Sequence, residues 1–161
     1  MNAPPLEQVW EVLEQVKDPE IPVVSVVELG LIRQVGYEKG HLVVTLSPSF
    51  AGCPALDVMA ADIEARLTGL GIGRVAVKTV YRPPWTSDWI TSTGREKLKG
   101  CGLAPPAIHA GDLERALAEA ARCPYCDSTD TELKNSFGPT LCRAIYVCLA
   151  CRQPFEQFKP L

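Results

Sequence analysis

No apolar run in the chain approaches the roughly 18–20 residues that a helix needs to cross a bilayer, so no membrane-spanning helix is expected. Basic excess is missing too. Sixteen Lys and Arg stand against 19 Asp and Glu, for a net charge of −3. General binders of nucleic acid or of anionic membrane surfaces are usually basic, so both classes are disfavoured. Histidine is scarce, with only His41 and His109. A cysteine hydrolase needs a base and an orienting group beside its nucleophile. His41 would open a strand and His109 would sit in a linker, so both read as surface side chains and nucleophilic catalysis ranks low. A pair of Glu-x-x-His motifs, as in di-iron helix bundles, is absent. So is a G-x-G-x-x-G nucleotide fingerprint, because Gly69-Leu70-Gly71-Ile72-Gly73 lacks its spacing. The first residues show no basic stretch followed by an apolar one, so no secretory signal is expected and the cytoplasm is the expected compartment.

What is present is ample apolar material and much cysteine. The chain has 161 residues, 47% hydrophobic and 22% charged, enough for a small domain plus a minidomain. Seven cysteines in a reducing compartment read as metal ligands or reactive thiols before they read as disulfides. Five lie after residue 122 (Cys123, Cys126, Cys142, Cys148, Cys151), while Cys53 and Cys101 stand alone. Charge is also uneven. Residues 1–73 hold 4 basic and 10 acidic side chains, and residues 74–99 hold 6 basic and 2 acidic. A solvated mixed surface is the plain reading; the sharper one is a docking patch for an acidic partner protein or an anionic ligand.

Pro4 and Pro5 suit a helix start, and Leu6, Val9, Leu13 and Val16 form one apolar face that Asp18-Pro19 should stop. Residues 23–27, Val-Val-Ser-Val-Val, are β-prone. Leu31–Tyr37 and His41–Leu46 should pair around the turn Glu38-Lys39-Gly40. Pro54 should open a second helix whose buried face is Leu56, Met59, Ile63 and Leu67, with Gly69 closing it. Arg74–Tyr81 reads as a strand and 91–99 as a short helix closed by Gly100. Ala104–Ala107 resembles a linker, and Asp112 can cap a helix over 113–122 with Leu113 and Leu117 on one side.

Two C-x-x-C pairs, Cys123/Cys126 and Cys148/Cys151, are separated by 21 residues. Each such pair forms a knuckle with both thiolates facing one point, and two knuckles supply a tetrahedron of sulfur for one zinc. The gap slightly exceeds the usual spacing of about 15–20, at little entropic cost. Thr131–Lys134 and Arg143–Val147 can be strands linked through Asn135–Thr140. So short a tail cannot stabilise itself by an apolar core, so a metal is the expected staple. A redox pair is disfavoured because redox motifs do not come as two matched pairs around a hairpin. An iron–sulfur cluster also uses four cysteines, but two compact knuckles suit a single tetrahedral ion better. Cys142, six extended residues or about 20 Å from Cys148, should not share the metal. Tyr125, Tyr146, Phe137, Phe155 and Phe158 read as the tail's apolar surface, and its 4 basic and 4 acidic residues leave no nucleic-acid footprint. Cys53, in the loop Ser47–Pro54 running into a helix, could gain thiolate character from the helix N-terminus. From position alone the reading as a small buried side chain is slightly favoured.

Asp18-Pro19-Glu20-Ile21-Pro22, then Glu28-Leu29-Gly30-Leu31-Ile32, then Gly52-Cys53-Pro54 resemble the small α/β iron–sulfur-assembly family that includes SufT. Tyr81–Ile90, Thr93-Gly94-Arg95, Ser136–Thr140 and Pro154-Phe155, with the four-cysteine tail, resemble one branch of it, the D subunits of bacterial phenylacetyl-CoA epoxidase systems. The resemblance implies a non-catalytic accessory or maturation role in aerobic phenylacetate degradation. Its implied partners are the oxygenase and reductase subunits and the iron–sulfur assembly machinery. Cys53, with Asp18 and Glu20, matches the family positions for transient iron or iron–sulfur cluster binding. Cys123, Cys126, Cys148 and Cys151 would hold zinc, although Asp127 and Arg152 stand where glycine or lysine often follows a knuckle. A stably bound structural or electron-transfer subunit and a zinc-ribbon adaptor are the alternatives, and a homodimer is compatible with each. The expected fold is α+β: a small two-layer α/β domain with a short mixed sheet over residues 1–103, a linker with a short helix over 104–122, and a zinc ribbon over 123–161.

Overall fold

A computed structural model describes residues 3–161. The protein is α+β and divides into two compact units, one ending at Trp85 and the other running from Thr86 to Leu161.

In the first unit, helix α1 (Leu6–Leu13) is followed by turns and then by strands β1 (Ile32–Glu38) and β2 (His41–Leu46), helix α2 (Leu56–Gly69) and strand β3 (Val75–Thr79). The sheet runs β1-β2-β3, with β1 antiparallel and β3 parallel to β2. Lys39 and Gly40 both have positive φ between the paired residues Glu38 and His41, which makes the two-residue hairpin turn of the kind that follows right-twisted strands. Leu42, Val44 and Leu46 on β2 are fully buried, as are Val9, Leu13 and Val16 from the first helix and its extension and Ile63 and Leu67 from α2. Burying each such side chain stabilises by roughly 1.5–3 kcal/mol, so this face sets the register of β2.

Several local expectations need correction. α1 stops at Leu13, and residues 14–30 form turns. The β-branched run at 23–27 is not a strand apart from one bridge, Lys17 to Ser25. Side chains bend it: Asp18 Oδ1 accepts from the N–H groups of Glu20 (2.7 Å) and Ile21 (2.9 Å), while the Glu28 carboxylate accepts from Ser25 N–H and the Ser25 hydroxyl from Glu28 N–H. Such local acceptors compete with a sheet ladder for the backbone. Helix α2 starts at Leu56 rather than Pro54.

The second unit holds a single 3₁₀ turn (Ser87–Trp89), α3 (Ser92–Gly100), β4 (Leu103–Ala104), α4 (Leu113–Ala118), β5 (Thr131–Asn135), β6 (Arg143–Cys148) and β7 (Pro154–Phe158). Its sheet order is β4-β7-β6-β5, antiparallel except for the parallel β4–β7 pair. Thr91 and Asp112 cap α3 and α4 by accepting from Gly94 N–H and Arg115 N–H, each at 3.0 Å. β4 and β7 were not expected. Their pairing joins Leu103-Ala104 to the far end of the chain, so the segment 86–103, expected in the first domain, lies in the second unit. Arg95 reinforces this: its guanidinium donates to the carbonyls of Ile90, Ser87 and Pro106. α4 buries Ala116, whereas Leu113 and Leu117 are exposed. No helix among the described residues is long and apolar enough to cross a membrane.

A fragment ending after Trp85 carries the whole β1-β2-β3 sheet and both of its helices. It is expected to fold cooperatively, with a sigmoidal thermal transition by circular dichroism; a molten, non-cooperative trace would reject the boundary.

Candidate metal centre and the Cys53 loop

The ribbon brings four thiols to one point. The sulfur atoms of Cys123, Cys126, Cys148 and Cys151 all lie within 4.8 Å of one another. Across the two knuckles, Cys123 and Cys151 are 3.7 Å apart and Cys126 and Cys148 3.5 Å. A tetrahedron with Zn–S bonds of about 2.3 Å has edges of about 3.8 Å, so an all-thiolate donor set of this size suits one zinc.

Both knuckles are built the same way. The residue after each second cysteine, Asp127 and Arg152, is left-handed, with φ of 62° and 60°. This conformation ordinarily favours glycine, which is the physical content of the glycine that often follows a knuckle; here two non-glycine residues adopt it. Cys123 N–H bonds to Ser128 O at 2.9 Å and Cys148 N–H to Gln153 O at 3.0 Å, closing each loop. The Cys151 N–H donates to Cys148 Sγ at 3.4 Å. That bond, with further help from the neighbouring thiols and the Ala150 N–H, outweighs desolvation and lowers the Cys148 thiol to about 7. At Cys126 the N–H of Ser128 also lowers the thiol, but desolvation and the other three sulfurs outweigh it and raise the thiol to about 12. Cys148 therefore ionises most readily, and a cation must displace protons from Cys126 and Cys151, whose thiols are raised. Cys142 is buried beside the Thr140 hydroxyl at 3.1 Å and is not in the quartet, as its spacing predicts. None of the seven cysteines is in a disulfide.

The quartet is roofed by its own small core. Cys123 and Cys148 cluster with Ala104, Ala121 and Phe155, and Tyr146 stacks on Phe155 with ring centroids 5.6 Å apart. Phe155 and Phe158 are interior, while Tyr125 and Phe137 are exposed.

In the first unit, Cys53 is half-buried in the loop before α2. Its N–H bonds to Phe50 O at 3.2 Å and its carbonyl accepts from Leu56 N–H at 3.3 Å. With α2 beginning at Leu56, Cys53 sits in a preceding turn, so the helix N-terminus argument for its thiolate loses force. A Cβ on neighbouring Gly52 would meet only the Phe50 ring, at 3.7 Å, so this side of the loop is sterically open. Asp18 is 8% exposed and uses one carboxylate oxygen on two backbone N–H groups, and Glu20 is half-buried. Among the described residues, Asp18, Glu20 and Cys53 do not gather as a ready ligand cluster in the way the four ribbon cysteines do. Asp18→Ala is expected to cost about 1 kcal/mol through the lost turn bonds, while Asp18→Asn, which keeps the acceptor, should stay within a few tenths; denaturant melts of both variants check this.

The basic run over 74–99 is largely spoken for. Lys78 pairs with Glu38 at 2.9 Å, Lys99 with Asp127 at 2.6 Å, and Arg95 serves the carbonyls named above. Sequence reasoning also misplaced His109. It is buried, with Nε2 3.1 Å from both the Thr86 hydroxyl and Leu161 O, and its own N–H donates to Asp88. Asp88 two residues after Thr86 offered no signal, because the contact spans more than twenty residues.

An α-β-β-α-β unit with a cysteine loop is followed by a four-thiol ribbon, and the comparisons place this arrangement among iron–sulfur-assembly-type proteins with an appended zinc ribbon. Residues 6–79 match the family described as iron-sulfur cluster assembly protein, and residues 109–159 match the PaaD zinc beta ribbon domain. The chain is 39% identical over 98% of its length, and 94% of the relative's, to the D-subunit of the Escherichia coli "Putative 1,2-phenylacetyl-CoA epoxidase". It therefore belongs to the phenylacetyl-CoA epoxidase D-subunit family. It is also 32% identical, over 57% of its length and 89% of the relative's, to an Fe-S protein maturation auxiliary factor of Porphyromonas gingivalis. A crystal structure of a domain of unknown function, DUF59, from Bacillus anthracis superposes with TM-score 0.53 at 27% identity, covering 57% of this chain and 89% of that one.

Proposed function

We propose that the chain is a non-catalytic accessory protein that assists iron or iron–sulfur cluster assembly in the oxygenase and reductase subunits of a phenylacetyl-CoA 1,2-epoxidase. The observation that carries this reading is the union, in one chain, of an iron–sulfur-assembly segment with the ribbon of the epoxidase D-subunit branch. The similarity to maturation auxiliary factors supports it. Cys53 is the residue assigned to hold the iron or cluster cargo transiently, in a loop open on its Gly52 side; Asp18 and Glu20 shape the preceding turn. Sulfur is a good ligand for iron, and a single protein thiolate leaves the cargo exchangeable. Cys123, Cys126, Cys148 and Cys151 hold zinc as a structural staple. The cytoplasm is the compartment where such an exchange would take place.

The relative's designation as a subunit favours a second reading, a stably bound structural component. Quantifying this chain in purified, active epoxidase separates the two. Maturation predicts active complex with far less than one copy of this chain per oxygenase protomer. Stoichiometric retention through gel filtration would favour the structural subunit.

A further inference from the structure

Strand β5 closes one side of the ribbon sheet, with no strand beyond it among the described residues. An open edge is a template for pairing with another chain. The register of β5 shows what this edge offers. Leu149 N–H donates to Asp130 O at 2.8 Å, so these facing residues form a hydrogen-bonded pair at the start of the ladder. Bonded and non-bonded pairs alternate along antiparallel strands. Thr131/Cys148 is then non-bonded, Glu132/Val147 bonded and Leu133/Tyr146 non-bonded. The backbone N–H and C=O of Leu133 therefore point away from β6, toward the open edge. Leu133 is also 46% exposed. Just beyond it the register shifts between Leu133 and Asn135, a bulge that ends the regular ladder. Glu132 and Lys134 flank Leu133 on one face, both half-exposed, with their charged ends 2.8 Å apart.

We infer that β5 pairs antiparallel with β5 of a second copy of this chain, about a two-fold axis at Leu133. The two Leu133 residues exchange both backbone hydrogen bonds across the axis. Glu132 of each copy falls opposite Lys134 of the other. This charge order identifies the occupant as a second copy, because Glu-Leu-Lys is complementary to itself when reversed. It also fixes the register: an axis moved to Glu132 or to Lys134 sets like charges directly opposite each other.

The edges of the first sheet lack this property. Reversing β1 about Val35 sets Arg33 against Tyr37 and Glu38 against Ile32. Reversing β3 about Val77 sets Lys78 against Ala76, and Lys78 is already held by Glu38. At β5 the charges that repel an unrelated strand are the ones a reversed copy satisfies. Each exposed Glu132–Lys134 pair within a chain is exchanged for one between chains, so the net gain comes from the backbone bonds and the Leu133 contact. The dimer is accordingly weak and concentration-dependent.

The test is sedimentation velocity of the full-length, zinc-loaded protein over a range of concentrations. The wild type is expected to show a reversible monomer–dimer equilibrium. Glu132→Lys and Lys134→Glu, each alone, set like charges across the axis and should weaken association about tenfold or more. Both positions are exposed, so circular dichroism and zinc content should match the wild type. An equimolar mixture of the two single variants restores both cross-strand pairs in a heterodimer and should associate at least as well as the wild type. Wild-type protein that stays monomeric throughout overturns the proposal. So does a dimer indifferent to either single variant, which would place the contact on another surface. A mixture that fails to recover association would show that the two charges do not face each other, and overturns it as well.

Discussion

Cys148→Ser is expected to abolish zinc binding and to melt the second unit, leaving the first unit folded. Cys148 is both ligand and core: it is fully buried, and with Cys123 it supplies two of the five residues of the cluster beneath the ribbon. Ala104, Ala121 and Phe155, the remaining three, are too few to hold the cysteine-bearing end of the sheet together without the metal. Structural zinc contributes apparent free energies of about 10–16 kcal/mol in zinc-finger peptides near neutral pH, far above any other single contribution in this unit. Elemental analysis should find about one zinc per wild-type chain and a trace in the variant. Loss of zinc should erase the ribbon's dispersed amide resonances while those of β1–β3 persist. Because all four ligands bind as thiolates, metal binding releases protons, and affinity must fall as the pH is lowered. Zinc release during an acid titration, reversed on return to neutral pH, is the matching solution signature. A variant that kept its zinc, or iron in place of zinc in the wild type, would contradict this assignment.

Cys53→Ser should do the opposite, leaving the fold intact while abolishing assistance to the epoxidase. The replacement is nearly isosteric, and the backbone bonds of the loop, Cys53 N–H to Phe50 and Leu56 N–H to the Cys53 carbonyl, do not involve the side chain. A stability change of about 1 kcal/mol or less is expected. Serine keeps its proton at neutral pH and ligates iron poorly, so the cargo site fails. In a strain rebuilt with the epoxidase genes, phenylacetyl-CoA turnover should fall to the level seen without this chain. Normal turnover by the variant would remove Cys53 from the pathway of iron and shift weight to a structural subunit.

The elements that depend on neighbours in sequence were legible from sequence. The Lys39-Gly40 turn, the Met59/Ile63/Leu67 face of α2, and the two cysteine pairs with a hairpin between them all lie where local pattern puts them. What was not legible depends on long-range partners or on side chains that capture backbone. Val23 to Val27 has the composition of a strand, but Asp18 and the Ser25–Glu28 pair turn it into bends. β7 starts at a proline and is held along its length by β6, and β4 is only two residues long and exists because β7 pairs with it; neither shows an alternating pattern. That pairing moves residues 86–103 into the second unit and turns His109 from an expected linker residue into a buried hub.

The most direct measurement of the central claim is the iron and acid-labile sulfide content of the oxygenase and reductase subunits, purified from otherwise identical cells with and without this chain. The account predicts unchanged amounts of both polypeptides, with metal or cluster content markedly reduced when the chain is absent and restored by the wild-type chain but not by Cys53→Ser. Fully metallated, cluster-replete partners purified from cells lacking the chain would contradict it.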